Sequence, residues 1–131
     1  MELKIKASGE SLEAINDFIH SALPEDCSDI IVNQIDLAVE EIFVNIANYS
    51  GADEAEIFCC CNDDVLEVTF ADGGVPFNPL EKPDPDITLN AEDRQIGGLG
   101  IFLTKKFMDN VEYSFRDGKN ILKIQKKLTQ L

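Results

Sequence analysis

Polar and apolar residues alternate strictly at the start of the chain. Leu3, Ile5 and Ala7 oppose Glu2, Lys4 and Lys6, which predicts a strand over residues 2–7 with one wet face. Apolar residues then recur at helical spacing. Leu12, Ile15, Ile19 and Leu23 predict a helix over residues 9–22, with Ser8 as its cap and Pro24-Glu25-Asp26 as the break after it. A longer helix is predicted from Ser28 to Tyr49, with Ile31, Ile35, Val39, Ile42, Phe43 and Ile46 on one broad face and Ser50-Gly51 as its stop. Two alternating runs follow. Residues 54–61 put Ala55, Ile57, Cys59 and Cys61 on one side, and residues 65–71 do the same with Leu66, Val68 and Phe70. The turn residues Asn62-Asp63-Asp64 between them predict an antiparallel hairpin.

Periodicity is lost over residues 77–96, and four of the five prolines fall between positions 76 and 85. A loop of that length in a small domain reads as a functional lid, with glycine clusters at both ends. Gly97-Gly98-Leu99-Gly100 then opens a helix from Ile101 to about Met108. A last hairpin places Val111, Tyr113 and Phe115 on one strand and Leu122 and Ile124 on the other, around an Asp117-Gly118 turn. The predicted order is β-α-α-β-β-lid-α-β-β. Strands arriving as hairpins, with helices long enough to cover one face, predict an α+β fold. It is a two-layer α/β sandwich, mostly antiparallel, with helices on one face and a single domain over residues 1–131.

The long helix carries a polar stripe. At roughly 100° per residue, Glu41, Asn45 and Asn48 stack within an arc of about 60°, and Gln34 joins them one coil earlier. Ala38 and Ile42 flank the stripe on one edge and Leu37 and Val44 on the other, so it is expected off the open side of the helix. Partly buried carboxylates and amides are costly unless something answers them. Two readings stand at this point: a ligand or metal site, or polar groups that cap the edge of a core.

Composition narrows the field. The chain has 131 residues, 44% of them apolar, which suffices for a real core. A net charge of −14 argues against unaided DNA or RNA binding, which needs clustered Lys and Arg, and suits solubility or a basic protein partner. No apolar run approaches a membrane span, and the opening Met-Glu-Leu-Lys-Ile-Lys reads as a strand rather than a signal peptide. A cytoplasmic protein with no membrane contact is therefore expected. Cys27, Cys59, Cys60 and Cys61 have neither zinc-site spacing nor histidine neighbours, and read as buried or half-buried packing residues. The single histidine, His20, reads as a surface or packing residue, and its solitude argues against Ser/His/Asp catalysis.

Three separated clusters remain: Glu41 with Asn45, Asp72-Gly73-Gly74-Val75-Pro76 at the end of a strand, and the glycine run that opens a helix, where free N–H groups favour phosphate. Singly each is weak, and no GxxxxGK phosphate loop exists. In this order and spacing they resemble the GHKL (Bergerat-fold) ATPase and kinase superfamily. Glu41-x-x-x-Asn45 matches its N box, Asp72-x-Gly74-x-Pro76 its first glycine box and Gly98-x-Gly100 its second. Within it the chain looks most like the stand-alone anti-sigma factor serine kinases, and the likeness covers essentially the whole sequence.

The resemblance implies roles by position. Asn45 would supply an oxygen to Mg²⁺ that bridges ATP phosphates, and Glu41 would be the catalytic base. Asp72 would accept from the adenine amino group, with Gly74 letting the base lie close to the backbone. Gly98 and Gly100 would cradle phosphates. Asn48, Pro76, Gly97 and Leu99 would complete the nucleotide-binding set. Arg94 reads either as reaching the terminal phosphate or as a solvated loop residue. Lys105 and Lys106 are expected on a solvated helix face. Pro76 stands where many sensor kinases have Gly, and Tyr49 where several relatives have His. The implied activity is Mg-ATP-dependent phosphorylation of a serine or threonine on a STAS-type anti-anti-sigma partner. The alternative is a nucleotide-sensitive module that sequesters a sigma factor or other regulator. A homodimer is also expected from the resemblance.

Overall fold

A computed structural model describes residues 1–81 and 99–129, with Leu99 described by its backbone alone. Five strands form one antiparallel sheet: β1 (Glu2–Lys6), β2 (Glu54–Asn62), β3 (Val65–Asp72), β4 (Asn110–Arg116) and β5 (Lys119–Lys127), in the order β1-β2-β3-β5-β4. The last hairpin therefore inserts its second strand beside β3. Asp72 comes opposite Asn120 in that pairing. The helices α1 (Leu12–His20), α2 (Asp29–Asn45) and α3 (Leu99–Phe107) cover one face.

The core forms where the period-2 and period-3.6 patterns meet. Ala55, Ile57, Cys59, Leu66, Val68, Phe70, Leu122 and Ile124 from the sheet bury against Ile31, Ile35, Ala38, Val39, Ile42 and Phe43 of α2, with Ile15 and Ile19 of α1. Each large side chain removed from water there contributes roughly 1.5–3 kcal/mol. The Ser28 hydroxyl caps α2 by accepting the Ile31 N–H at 3.3 Å. His20 lies within 2.6 Å of Asp36 and ties α1 to α2 at the surface.

Several expectations change. The first helix begins with a 3-10 turn, Gly9–Ser11, and ends at His20 rather than residue 22. The long helix is α-helical only to Asn45. The chain then widens into one π-helical turn, Ile46–Ser50, and leaves through Gly51 at φ 75°, a conformation that favours glycine. Phe115, in phase with the half-buried Val111 and Tyr113, is exposed near the end of an edge strand. Cys60 is exposed too, since a strand sends neighbours to opposite faces, whereas burial pushes the Cys59 thiol up to about 11. Residues 79–81, inside the expected loop, form a 3-10 turn, and residues 82–96 of that loop lie outside the described residues. Among the described residues no helix is long and apolar enough to cross a membrane.

Phe43 is completely buried between helix and sheet, whereas Phe115 is 43% exposed. Phe43→Ala is expected to cost about 3–5 kcal/mol in urea unfolding, and Phe115→Ala about 0.5 kcal/mol. Iodoacetamide at mild alkaline pH should modify Cys60 of the native protein well before Cys59, as read by peptide mass spectrometry.

Candidate functional site

Helix α2 packs beside α3, and the Glu41 side chain occupies the space where a side chain at Gly100 would begin. A Cβ built on Gly100 would lie 2.1 Å from both Cδ and Oε2 of Glu41. The carboxylate of the half-buried Glu41 is thus laid against the first turn of α3. One turn along α2, the buried Asn45 donates from Nδ2 to the Glu41 carbonyl at 2.8 Å and to Glu41 Oε1 at 3.2 Å. Both amide protons' direction is therefore set toward Glu41, which leaves the Asn45 Oδ1 outside every hydrogen bond within the described residues. An amide oxygen held this way beside a carboxylate suits a hard cation that keeps several waters and takes its other ligands from phosphates. Gln34, the earlier member of the stripe, is half-buried, and its Oε1 has no hydrogen-bond partner among the described residues.

The second cluster is built from the sheet. Asp72, at the end of β3, is only 4% exposed. Its Oδ1 accepts the Gly74 N–H at 2.9 Å and the Asn120 side-chain amide at 3.1 Å. Gly74 is needed by close approach: its Cβ would meet the Ser50 carbonyl oxygen at 2.1 Å. That same carbonyl accepts the Val75 N–H at 2.8 Å. The π-turn that ends α2 therefore pins the Asp72–Val75 turn. Between these groups opens a narrow cleft of about 20 Å³, lined by Asn45, Asp72, Asn120, Ser50 and Tyr113 with Ile42, Ile46, Phe70, Leu122, Phe77 and Pro79. Phe77 stacks on Tyr49 with ring centres 5.4 Å apart. An apolar slot with a few convergent polar groups is the usual form of a small-molecule site.

Of the residues singled out in the sequence, Glu41, Asn45 and Gly100 come together, Asn45 and Asp72 line the cleft, and Gly74 donates its N–H to Asp72. Asn48 does not join them. It lies in the π-turn, which rotates less per residue than an α-helix, and it is exposed. Pro76 is exposed at the end of the turn and does not line the cleft. Leu99 begins α3. Gly97, Gly98 and Arg94 lie outside the described residues. Lys105 and Lys106 are exposed in the last turn of α3. The stripe is also more open than its flanks implied: Leu37 and Val44 are 38% and 37% exposed.

Sequence reasoning passed over Asn120, Ser50 and Tyr113. Asn120 gave one usable signal, a polar residue in phase with the inward-facing Leu122 and Ile124.

The two close approaches differ in what must yield. At Gly74 the obstacle is backbone, whereas at Gly100 it is the end of a flexible side chain. Gly74→Ala is expected to destabilise the protein by about 1–3 kcal/mol in urea unfolding. Gly100→Ala is expected to cost less stability and to swing the Glu41 carboxylate away, which a crystal structure of the variant would record.

Known proteins resemble this chain in sequence and in fold. Serine/threonine-protein kinase BtrW of Bordetella bronchiseptica is 28% identical over 126 residues, which span 93% of this chain and 88% of that one. Serine-protein kinase RsbW of Listeria monocytogenes is 28% identical over 70% of this chain, a match that spans 63% of its own length. The anti-sigma F factor of Clostridium acetobutylicum is 24% identical over 97% of this chain and 92% of its own. Among solved structures, the RsbU and RsbW domains of a Mycobacterium tuberculosis protein superpose with a TM-score of 0.63 at 11% identity. That match covers all of this chain and 33% of the other, and at that identity it speaks for the fold alone. The family model of the histidine kinase-like ATPase domain matches residues 5–126, and the chain belongs to that family.

Proposed function

We propose that this chain binds Mg-ATP in the cleft between α2, β3 and β5, and transfers the terminal phosphoryl group to a serine or threonine hydroxyl of a STAS-type partner protein. The observation that carries this reading is the contact of the Glu41 carboxylate with the backbone at Gly100. It joins a base to the start of a helix, where unpaired N–H groups favour phosphate. The kinase names of the Bordetella and Listeria relatives and the anti-sigma name of the Clostridium relative point the same way.

On this reading Asp72 accepts the adenine amino group, and the apolar walls at Ile46, Phe70 and Leu122 hold the ring. Asn45 Oδ1 would help hold Mg²⁺, which when bound would supply charge neutralisation on the phosphates. The partner's hydroxyl oxygen bonds to the γ-phosphorus as its proton passes to Glu41. The bond from that phosphorus to the β–γ bridging oxygen breaks, and ADP leaves with the electron pair. The protein's part is mostly positioning and charge stabilisation. The hydroxyl can arrive from the open side of the stripe, where Ile30, Leu37 and Val44 form an exposed apolar ridge at seven-residue spacing. Such a ridge fits a protein acceptor better than water. It also suits the second reading, in which nucleotide only governs capture of a sigma factor or other regulator.

Glu41→Ala should reduce phosphate transfer from radiolabelled Mg-ATP to a STAS-domain protein by about 10²–10⁴-fold, with Mg-ATP still bound. Undiminished transfer would remove Glu41 as the base. Mg-ATP at a hundred times its dissociation constant should stabilise the wild type by about 2.7 kcal/mol in thermal unfolding. Nucleotide-sensitive capture with no phosphate moved would favour the second reading.

A further inference from the structure

We infer that Asn120 is the positioning residue that makes the cleft select adenine over guanine, an inference that rests on the nucleotide reading above. Asn120 is only 6% exposed, at the start of β5 and directly opposite Asp72. Its Nδ2 donates to Asp72 Oδ1 at 3.1 Å and to the Val75 carbonyl at 2.8 Å. Its Oδ1 accepts the Phe77 N–H at 3.0 Å and the Tyr113 hydroxyl at 2.5 Å. The amide's orientation is decided by these neighbours. A carboxylate oxygen and a carbonyl can only accept, and a backbone N–H can only donate, so the flipped amide would face oxygen with oxygen.

Two donors and two acceptor positions are thereby all used. Asn120 has nothing left for a base, and acts on it only through Asp72. The Gly74 N–H and the Asn120 amide together saturate Asp72 Oδ1 and fix the plane of the carboxylate. Asp72 Oδ2 is in no hydrogen bond within the described residues, and Asp72 lines the cleft. An ionised oxygen held in that position accepts an amino group and repels a carbonyl. Adenine presents an amino group at the six-position, and guanine presents a carbonyl there. Discrimination of this kind is large only when the reading group cannot turn away or recruit water, because the wrong ligand then leaves it unpaired. The Asn120 clamp supplies that constraint, and through Val75 and Phe77 it also fixes the turn that forms one wall.

The test is titration calorimetry of the full chain with Mg-ATP, Mg-GTP and magnesium tripolyphosphate. The wild type should prefer ATP. In Asn120→Ala the ATP affinity should fall about tenfold or more while GTP and tripolyphosphate change little, so the ATP:GTP ratio collapses. An unchanged ratio would overturn the inference, and so would an equal loss for all three ligands, which marks a purely structural role. If Asn120→Ala loses its native circular dichroism, Tyr113→Phe carries the same comparison, because it deletes one hydroxyl that bonds Asn120. The ratio should then fall about threefold, and an unchanged ratio again overturns the inference. A wild type that binds none of the three ligands would instead sink the nucleotide reading on which this one stands.

Discussion

The approach of α3 to α2 at Gly100 governs the arrangement of the site. The absence of a side chain at Gly100 leaves a space beside α3, and that space is filled by the Glu41 carboxylate. Glu41 is kept from retreating by its own helix, since Asn45 holds both its carbonyl and its Oε1. A charged group in this setting costs free energy unless hydrogen bonds and water answer it. Partial exposure of Glu41 moderates that cost. The result is an acid held in place on one side and reachable from the other.

A second constraint ties the far end of the cleft to the same helix. Had α2 continued regularly past Asn45, its carbonyls would have stayed along the axis. The wider turn at Ile46–Ser50 instead presents the Ser50 carbonyl to the Val75 N–H and requires glycine at position 74. π-turns within helices are frequently found at functional sites, because they redirect backbone groups without ending the helix early. Here the redirection joins the Asn45 end of the stripe to the Asp72 carboxylate of β3. A buried Asp72 is tolerable because two donors meet one of its oxygens.

Much of this was legible in the linear pattern. Alternation in β1, β2 and β3 and the 3.6-residue period of α1 and α2 are local properties, and the burial of Ile31, Ile35, Val39 and Ile42 follows from them. The convergence of Glu41, Asn45 and Gly100 was legible through spacing within known motifs. Legibility stopped at non-local geometry. Asp72 and Asn120 become neighbours only because β5, and not β4, pairs with β3. No periodicity announces that order. The π-turn at Ile46–Ser50 was not legible either, so a constant 100° rotation does not carry through to Asn48. Alternation in β4 assigns Phe115 a phase but not its burial, which falls off toward the end of an edge strand.

The open flank of α2 bears on what kind of hydroxyl the proposed reaction accepts. Ala38 and Ile42 seal one edge of the stripe, while Ile30, Leu37 and Val44 leave apolar side chains in water on the other. Scattered exposed hydrophobics are ordinary, but these three share one line and run beside the carboxylate. An enzyme that hydrolyses ATP would gain nothing from such a ridge. An enzyme whose acceptor sits on a folded partner gains orientation from it, because burying the ridge fixes the partner before its hydroxyl meets Glu41. A net charge of −14 would then disfavour acidic competitors and favour a partner face bordered by Lys and Arg. Partner choice would thus lie on the helix that carries the base, and nucleotide choice on the sheet that carries Asp72.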